Sequence, residues 1–310
     1  MKKIFLFILI LLFSLVCCIT IYLGKVYFDI KHTIQESYQT IGQTTKFYKN
    51  DIVSKKPFSV LLLGIDSGDF GRTDKGRSDT IVIMTVNPQK KTTTLMSIPR
   101  DTYTEIIGKG ESDKLNHAYA YGGTSMTIAS VQNLLDIPIN YYVEINLKGL
   151  QELVDVVGGV DVNNTFTFDY KGTRFPIGKQ HLDGKKALEY SRMRYDDPKG
   201  DYGRQNRQQQ IIIGILDKLK SIKTLTNYTD ILSVLGKNIK TDFSWDSIQK
   251  IFKYYKTAIN KVDSDQLVGV GFTGDGITGE NKISYQKIEK SELFRAKNKL
   301  KTQLNIKIVN

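Results

Sequence analysis

The feature that most constrains this chain is an apolar run close to its N-terminus. Residues 4–23 carry no charged side chain and consist mostly of Ile, Leu, Phe and Val. A helix of about 20 such residues can cross the hydrocarbon core of a bilayer. Lys2 and Lys3 precede the run, and basic residues favour the cytoplasmic side. We therefore predict a transmembrane helix over residues 4–23, with residues 1–3 in the cytoplasm.

A cleaved signal peptide is the alternative interpretation of this run. No cleavage site of small residues follows it, and Val16, which precedes Cys17, is not the small residue that a lipoprotein needs. A retained signal-anchor is therefore favoured, which makes the chain a single-pass type II protein of the cell membrane. Residues 24–56 are polar and are expected to form a juxtamembrane stalk. Residues 57–310 are expected to form one extracytoplasmic domain.

Cysteine content and charge narrow the classes of function. Cys17 and Cys18 are the only cysteines, and both lie in the apolar run. The exported part therefore has no disulfide, no cysteine zinc site and no thiol nucleophile. The formal net charge is +12, which favours a polyanionic partner: nucleic acid, anionic lipid or an anionic wall polymer.

Apolar runs and helical spacings alternate along the exported part. Strands are predicted at residues 58–66, 80–87, 92–98, 141–147 and 267–272, and the second and third form a hairpin. Helices are predicted at residues 124–135, 147–158, 204–220, 224–236 and 244–260. This alternation indicates an α/β domain in which helices pack on a central sheet.

Arginine is scarce but clustered. The chain has nine arginines against 35 lysines, and seven of the nine fall in three short segments. These seven are Arg72, Arg77, Arg100, Arg192, Arg194, Arg204 and Arg207. Arginine binds phosphate oxygens through a planar fork, whereas lysine suffices for a solvated surface. The distribution indicates a phosphate site, and structural pairs with Asp196, Asp197 and Asp201 are the alternative.

Two carboxylates flank the first of these arginine segments. Asp66 ends a predicted strand and Asp79 begins the next one, so both side chains can meet at one edge of the sheet. Two carboxylates beside several arginines suit Mg²⁺ shared between protein and phosphate. Either residue alone would be an ordinary loop aspartate.

Several familiar catalytic motifs are absent from the sequence. It has no G-x-x-x-x-G-K-[ST] phosphate loop and no G-x-S-x-G elbow. His32, His117 and His181 are far apart and show no H-E-x-x-H spacing. The sequence therefore gives no support to an ATPase, a serine hydrolase of that type or a histidine zinc protease.

Seven segments stand in the order typical of the LytR-CpsA-Psr family, which the chain resembles over about residues 58–220. They are GID at 64–66, GRSDT at 76–80, SIPRD at 97–101, NHAYAYGG at 116–123, VVGGVDV at 156–162, LDGKKALEYSRMR at 182–194 and GDYGRQNRQQQ at 200–210. The joint occurrence of SIPRD, SRMR and GDYGRQNRQQQ is far more specific than any one of them. The resemblance implies a central mixed β-sheet flanked by helices.

The resemblance also implies an activity. Such phosphotransferases move wall teichoic acid, capsule or a similar glycopolymer from undecaprenyl pyrophosphate to the 6-hydroxyl of N-acetylmuramic acid in peptidoglycan, and they release undecaprenyl phosphate. The implied partners are the polyprenyl-pyrophosphate-linked glycopolymer, peptidoglycan and the cytoplasmic membrane. No nucleic acid is expected.

Roles carry over from the family by position. Asp66 and Asp79 would hold Mg²⁺, with Mn²⁺ as the other option. The residues implied to surround the pyrophosphate are Arg77, Arg100, Arg192, Arg194, Arg204, Arg207 and Gln208, although Arg207 could instead be structural. The residues expected to take part in catalysis are Asp66, Asp79, Arg100, Asp101 and Asp201. Asp201 would organise the arginines, and the base for the acceptor hydroxyl stays open among Asp66, Asp79 and Asp101.

Some features keep two interpretations. The apolar faces at residues 128–135 and 211–216 could line a lipid channel, although such faces are more often core. Tyr119 and Tyr121 are expected to pack rather than stack on sugar. Asn116 and His117 could reach the site through hydrogen bonds, but this interpretation is the less favoured one.

Three other functions remain open from the sequence. A membrane-bound transcription regulator would explain the basic charge, but the span and the lack of a clear helix-turn-helix signature oppose it. A protein that binds wall polymer without catalysis is the second. The third is hydrolysis of the lipid pyrophosphate, with water in place of the sugar hydroxyl.

Overall fold

The structure, a computed structural model, describes residues 2–42, 49–66, 76–219, 234, 236, 238–275 and 282–308. The helices are α1 (Lys2–Ser37), α2 (Lys49–Val53), α3 (His117–Leu135), α4 (Leu147–Val156), α5 (Gly184–Arg192), α6 (Asp201–Leu219), α7 (Trp245–Tyr255) and α8 (Lys290–Gln303). The strands are β1 (Phe58–Ile65), β2 (Ser78–Asn87), β3 (Thr92–Ser97), β4 (Tyr103–Ile106), β5 (Glu111–Lys114), β6 (Tyr141–Asn146), β7 (Val160–Asn164), β8 (Phe168–Tyr170), β9 (Thr173–Phe175), β10 (Gly178–Leu182), β11 (Ile239–Thr241), β12 (Val262–Gln266), β13 (Val270–Gly274) and β14 (Ile283–Lys287).

A mixed six-stranded sheet forms the centre of the domain, with the strand order β11-β6-β1-β2-β3-β12. β1 runs parallel to β6 and antiparallel to β2, and β12 runs parallel to β3. β1 is an almost unbroken apolar run because both of its faces are covered by other elements. The predicted fold class, a central mixed sheet flanked by helices, is confirmed.

Helices pack on both faces of this sheet. Leu61, Leu63 and Ile65 of β1 share a core with the buried residues of α3 and α8. Phe58 and Val60 instead pack among residues of α2 and α7. A further core joins α4, α5 and α6 to the two-stranded sheet of β7 and β10. α6 therefore carries the GDYGRQNRQQQ motif against the main sheet.

The predicted hairpin and most of the other predicted elements appear within a few residues of their expected bounds. The strand predicted at residues 267–272 is displaced, because only its second half lies in a strand. β12 ends at Gln266 and β13 begins only at Val270, in a separate hairpin with β14. The chain breaks here because Leu267 turns into the core, and because the hydroxyl of Tyr202 accepts a hydrogen bond from the Gly269 amide at 2.8 Å. Most of the helix predicted at residues 224–236 lies outside the described residues.

The N-terminal helix continues past the predicted span. Within the described residues, Phe13–Ser37 is long enough to cross a membrane and contains an 18-residue window with a mean hydropathy of 1.6. Beyond it, Tyr38 forms a bridge with Thr241 of β11, and Ile52 of α2 is buried. Parts of the segment expected to be a stalk therefore pack on the domain.

Candidate active site

Asp79 is the extra residue of a β-bulge at the edge of the sheet where the first arginine segment lies. Gly64 of β1 pairs with Thr80 of β2, but the next residue, Ile65, pairs with Ser78. Asp79 therefore has no partner in β1. A bulge takes a side chain out of the regular alternation of its strand and is common beside active sites.

Asp66 lies at the same edge. Its backbone amide donates to the Arg77 carbonyl at 3.1 Å, and its Oδ1 accepts from the Arg77 amide at 2.6 Å. These two bonds fix Asp66 beside the start of β2, where Asp79 stands. The sequence predicted that both residues lie at one edge of the sheet, and the structure places them at the same ends of β1 and β2. Arg72 lies outside the described residues.

Arg100, which follows β3, forms an ion pair with Asp79. Its Nη1 is 2.8 Å from Asp79 Oδ2, and its Nε is 3.9 Å from Asp101 Oδ2. Burial would lower the pKa of Arg100, but the negative charges of Asp79 and Asp101 outweigh burial and raise this pKa. Arg100 therefore remains charged at every physiological pH.

Asp201 opens α6 and gathers two arginines. Its Oδ1 is 2.7 Å from Nη2 of Arg204 and 3.6 Å from Nε of Arg194. The same Nη2 donates to the backbone carbonyl of Asp79 at 3.4 Å, which joins α6 to the bulge. Burial lowers the pKa of Arg204, although the charge of Asp201 opposes this shift. Gln208 lies one turn after Arg204 on the same face of α6.

Two buried guanidinium nitrogens lack an acceptor. Among the described residues, Nε of Arg100 and Nε of Arg204 have no hydrogen-bond partner. A buried charged donor without an acceptor is costly, so such groups in a native fold call for an explanation. An anion from outside the chain would provide the missing acceptors.

We define the arginine cluster as Arg77, Arg100, Arg192, Arg194 and Arg204. Contacts through Asp79 and Asp201 join Arg100, Arg194 and Arg204, and the sequence prediction adds the other two. Arg192 is the last residue of α5, half-buried, and has no ion-pair partner in the part of the chain that the structure describes. The carboxylates at the cluster are fewer than its arginines. They are Asp66, Asp79, Asp101 and Asp201, and Asp101 is also paired with Lys114. The resulting excess of positive charge suits a ligand with two negative charges or more.

Arg207, which the sequence placed among the pyrophosphate-binding residues, does not join the cluster. Its side chain is buried in an ion pair with Asp197, its Nε donates to the Tyr190 carbonyl at 2.9 Å, and its Nη2 donates to the Met193 carbonyl. The ring of Phe168 lies 5.3 Å from the guanidinium carbon. All three nitrogens of this buried side chain are engaged within the fold, so the geometry favours the structural alternative.

Two carboxylates, those of Asp66 and Asp79, are available to bind a divalent cation, and they do not form a complete set of ligands. Within the described residues, no group of three or more His, Cys, Asp or Glu side chains is placed to hold a metal ion. Mg²⁺ in phosphate-transfer sites is commonly held by one or two carboxylates, with phosphate oxygens and water as the other ligands. Asp66 and Asp79 at one sheet edge beside the arginine cluster fit that arrangement.

A network around Asp113 borders the site and escaped sequence reasoning. Asp113 is buried and accepts hydrogen bonds from Nδ1 of His117 at 2.7 Å, from Tyr121 at 2.8 Å and from Tyr285 at 3.1 Å. The adjacent Lys114 places its Nζ 2.9 Å from Asp101 Oδ1. The NHAYAYGG motif hinted at His117 and Tyr121, but Tyr285 comes from a distant segment without any motif.

The apolar faces offered for a lipid channel are core. Ile128, Val131 and Leu135 are fully buried on the α3 side of the sheet, and Ile211 is buried in the other core. Tyr119 packs as predicted, with its hydroxyl donating to Glu144 at 2.9 Å.

Comparison with known proteins agrees with this geometry. The family model described as the LytR_cpsA_psr family matches residues 24–302. A protein of Enterococcus faecalis (strain ATCC 700802 / V583), named polyisoprenyl-teichoic acid–peptidoglycan teichoic acid transferase TagU, is 51% identical over 92% of this chain and 91% of its own length. The protein of the same name from Bacillus subtilis (strain 168) is 44% identical over 88% of this chain and 86% of its own.

Solved structures show the same architecture. The crystal structure of B. subtilis TagU matches with a TM-score of 0.64 at 41% identity, and covers 83% of this chain and 100% of the TagU chain. A structure of TagT bound to LI-WTA matches with a TM-score of 0.68 at 32% identity, over 86% of this chain and 96% of the other. An E. faecalis protein described as a transcriptional regulator matches with a TM-score of 0.73 at 42% identity, over 85% of this chain and 92% of that one.

Proposed function

This chain belongs to the LytR-CpsA-Psr family, and on that premise we propose that it transfers an anionic glycopolymer from a polyprenyl pyrophosphate carrier to peptidoglycan. The family match covers residues 24–302. The named transferases of E. faecalis and B. subtilis support teichoic acid as the polymer and peptidoglycan as the acceptor.

The observation that carries the proposal is the pair of buried, acceptor-free Nε atoms of Arg100 and Arg204. In each guanidinium group one other nitrogen is already held by a carboxylate: Nη1 of Arg100 by Asp79, and Nη2 of Arg204 by Asp201. Held in this way, the two forks lose little freedom when phosphate oxygens bind to them. Such fixed donors stabilise charge that develops in a transition state.

The proposed reaction is a phosphoryl transfer. The oxygen of the acceptor hydroxyl attacks the phosphorus that carries the glycopolymer, and the bridging P–O bond to the second phosphate breaks. The polymer leaves the reaction as a phosphodiester of peptidoglycan, undecaprenyl phosphate departs, and the hydroxyl proton passes to a base. Such transfers depend mainly on positioning and charge neutralisation, which the arginine cluster would supply.

The metal belongs to the same proposal. Asp66 and Asp79 would hold Mg²⁺, or Mn²⁺, which when bound would neutralise charge on the pyrophosphate. Asp101, one of the three candidate bases, lies beside Lys114, whose Nζ is 2.9 Å from its Oδ1.

The topology in the proposal follows from the apolar helix. Residues 1–3 would lie in the cytoplasm and the domain would lie outside, beside its lipid-linked substrate. Mass spectrometry of the mature protein tests retention of the span. A mature N-terminus beyond Leu23 would show that the span is removed.

The deciding experiment uses the full chain in detergent micelles. It is mixed with a defined lipid-pyrophosphate glycan and peptidoglycan oligomers, with and without Mg²⁺, and both the coupled product and the released polyprenyl phosphate are measured. Coupling that depends on the enzyme supports the transferase. Polymer binding without coupling would leave a non-catalytic binding protein, and polyprenyl phosphate release without coupling would indicate a hydrolase. The transcription regulator predicts a domain inside the cell. If added protease cannot cleave the domain on intact, wall-stripped cells, the regulator is favoured over the transferase.

A further inference from the structure

Two hairpins stand beside the arginine cluster and have no role in the phosphate chemistry. One consists of β4 and β5, and the other of β13 and β14. The Gln286 amide donates to the carbonyl of Asp101 at 2.8 Å, and Thr102 forms a bridge with the same Gln286. The second hairpin is therefore attached directly to the backbone of a site residue.

Three aromatic rings meet where these hairpins touch. Tyr103 lies 5.4 Å from Phe272 and 5.2 Å from Tyr285 between ring centroids, at nearly right angles to both. Phe272 and Tyr285 are stacked on each other at 5.2 Å. Tyr285 is buried, but 42% of the surface of Tyr103 is exposed. We call this group the aromatic shelf (Tyr103, Phe272 and Tyr285).

The shelf is held rigidly from below. The Tyr285 hydroxyl donates to the buried carboxylate of Asp113, which also accepts from His117 and Tyr121. A carboxylate that holds three donors fixes the ring that it anchors, so a ligand would meet a surface that is already ordered.

The shelf is also continuous with the reaction centre. Tyr103 pairs with Lys114 across the first hairpin. Nζ of this lysine lies 2.9 Å from Asp101 Oδ1 and 5.8 Å from the centroid of the Tyr285 ring. A ligand resting on Tyr103 would therefore lie next to Lys114, which contacts the candidate base Asp101.

We propose that the aromatic shelf binds a sugar ring of the acceptor, so that the peptidoglycan strand approaches the arginine cluster from the side of the two hairpins. The inference rests on the proposed transferase function and adds an acceptor subsite to it. A sugar ring presents C–H groups on its face, which pack on an aromatic ring, and hydroxyls at its rim, which need polar neighbours.

The surroundings of the shelf favour a saccharide over the polyprenyl chain. Lys114 stands at the inner end of the shelf, with its Nζ 5.8 Å from the centroid of the Tyr285 ring. Its ammonium group can donate hydrogen bonds to sugar hydroxyls. A polyprenyl chain would instead need an enclosed apolar surface, because an open shelf leaves most of the chain in water.

The test compares Tyr103→Ala and Tyr103→Phe with Phe294→Ala, a matched exposed aromatic on α8. Acceptor KM is measured in the transfer assay with full-length protein, and binding of a soluble peptidoglycan oligomer is measured by calorimetry. The loss of one half-exposed aromatic contact should weaken acceptor binding by about two- to tenfold. We expect Tyr103→Ala to raise KM and Kd for the acceptor by about that factor, while Tyr103→Phe and Phe294→Ala stay close to wild type.

Donor binding separates the possible outcomes. Affinity for the lipid-linked donor should be unchanged in Tyr103→Ala. Acceptor binding equal to that of the wild type would overturn the proposal, and a loss confined to the donor would assign the shelf to the polyprenyl chain. Calorimetry measures binding of the peptidoglycan oligomer without any turnover. If this binding is weakened only in Tyr103→Ala, the result supports the shelf. This holds even if the wild type transfers no polymer and the proposed function is wrong.

Discussion

The carboxylate of Asp197 lies against the α-carbon of Gly203, so closely that a Cβ at position 203 would stand 1.8 Å from Asp197 Oδ2. That carboxylate is the buried partner of Arg207. Arg207 also bonds the carbonyls of Tyr190 and Met193, the second of which caps α5. The contact therefore fixes the connection between α5 and α6, which carries Arg194 of the arginine cluster.

Gly203→Ala should destabilise the protein, although alanine is normally the better helix residue by about 1 kcal/mol. The Cβ must push the Asp197 carboxylate away from Arg207, and overpacking of this kind costs about 1–3 kcal/mol. Thermal unfolding should show a lower midpoint, and transfer should slow because Arg194 shifts. Asn206→Ala, on the same helix, serves as the control. A midpoint at or above that of the wild type would contradict the contact.

Asp113→Asn should reveal a stability that depends on pH. Burial would raise the pKa of Asp113, but hydrogen bonds from His117 and Tyr121 outweigh burial and hold this pKa below its ordinary 3.8. The contribution of the carboxylate is therefore complete above about pH 4 and is lost as the pH falls through the folded pKa. The variant should be less stable than wild type by about 1–3 kcal/mol at pH 7.

Urea unfolding at several pH values measures this difference. The gap between wild type and Asp113→Asn should narrow as the pH drops below 3.8. Asp263→Asn, an exposed carboxylate on β12, should show no such dependence. A gap that stays constant down to the acid limit would mean that the hydrogen bonds do not favour the ionised form.

Local patterns predicted the fold and much of the site, because both depend on signals that are close together in the chain. The apolar run of β1 predicts a strand, and the loop after it brings Asp66 and Asp79 to one edge of the sheet. The bulge at Asp79 could not be predicted, since it depends on the register with β1. Arg207 is buried away from the arginine cluster, and nothing in its sequence motif distinguishes it from the arginines of that cluster. β12 was missed because VDSDQ is a polar strand at the sheet edge.

Asp66→Asn and Asp79→Asn test the proposed metal site while keeping the shape of each side chain. Each change removes a negative oxygen from the cation, so the Mg²⁺ concentration for half-maximal transfer should rise by about tenfold or more. A Mg²⁺ titration of the transfer rate measures this, with Asp169→Asn on β8 as an exposed control. Unaltered Mg²⁺ dependence in both variants, or full activity in excess chelator, would remove the metal from the proposal.

Replacement of arginine by lysine separates a phosphate-binding site from a merely basic surface. The residues to change, one at a time, are Arg100, Arg192, Arg194 and Arg204. Lysine keeps the charge but loses the planar fork, so an electrostatic surface would scarcely respond. Loss of a well-placed charged contact in the transition state costs about 3 kcal/mol, or roughly a hundredfold in rate.

We expect the largest losses at Arg100 and Arg204, because their buried Nε atoms lack an acceptor among the described residues. Arg207→Lys should differ in kind: it should lower stability through the Asp197 pair, and the transfer rate should fall with the folded fraction. Arg174→Lys, at an exposed and loosely paired arginine, should change neither quantity. The measurement is the transfer rate of each folded variant at saturating lipid donor. If all four cluster variants stay within about twofold of wild type, the cluster acts only as a charged surface, and the transferase loses its support at the level of residues.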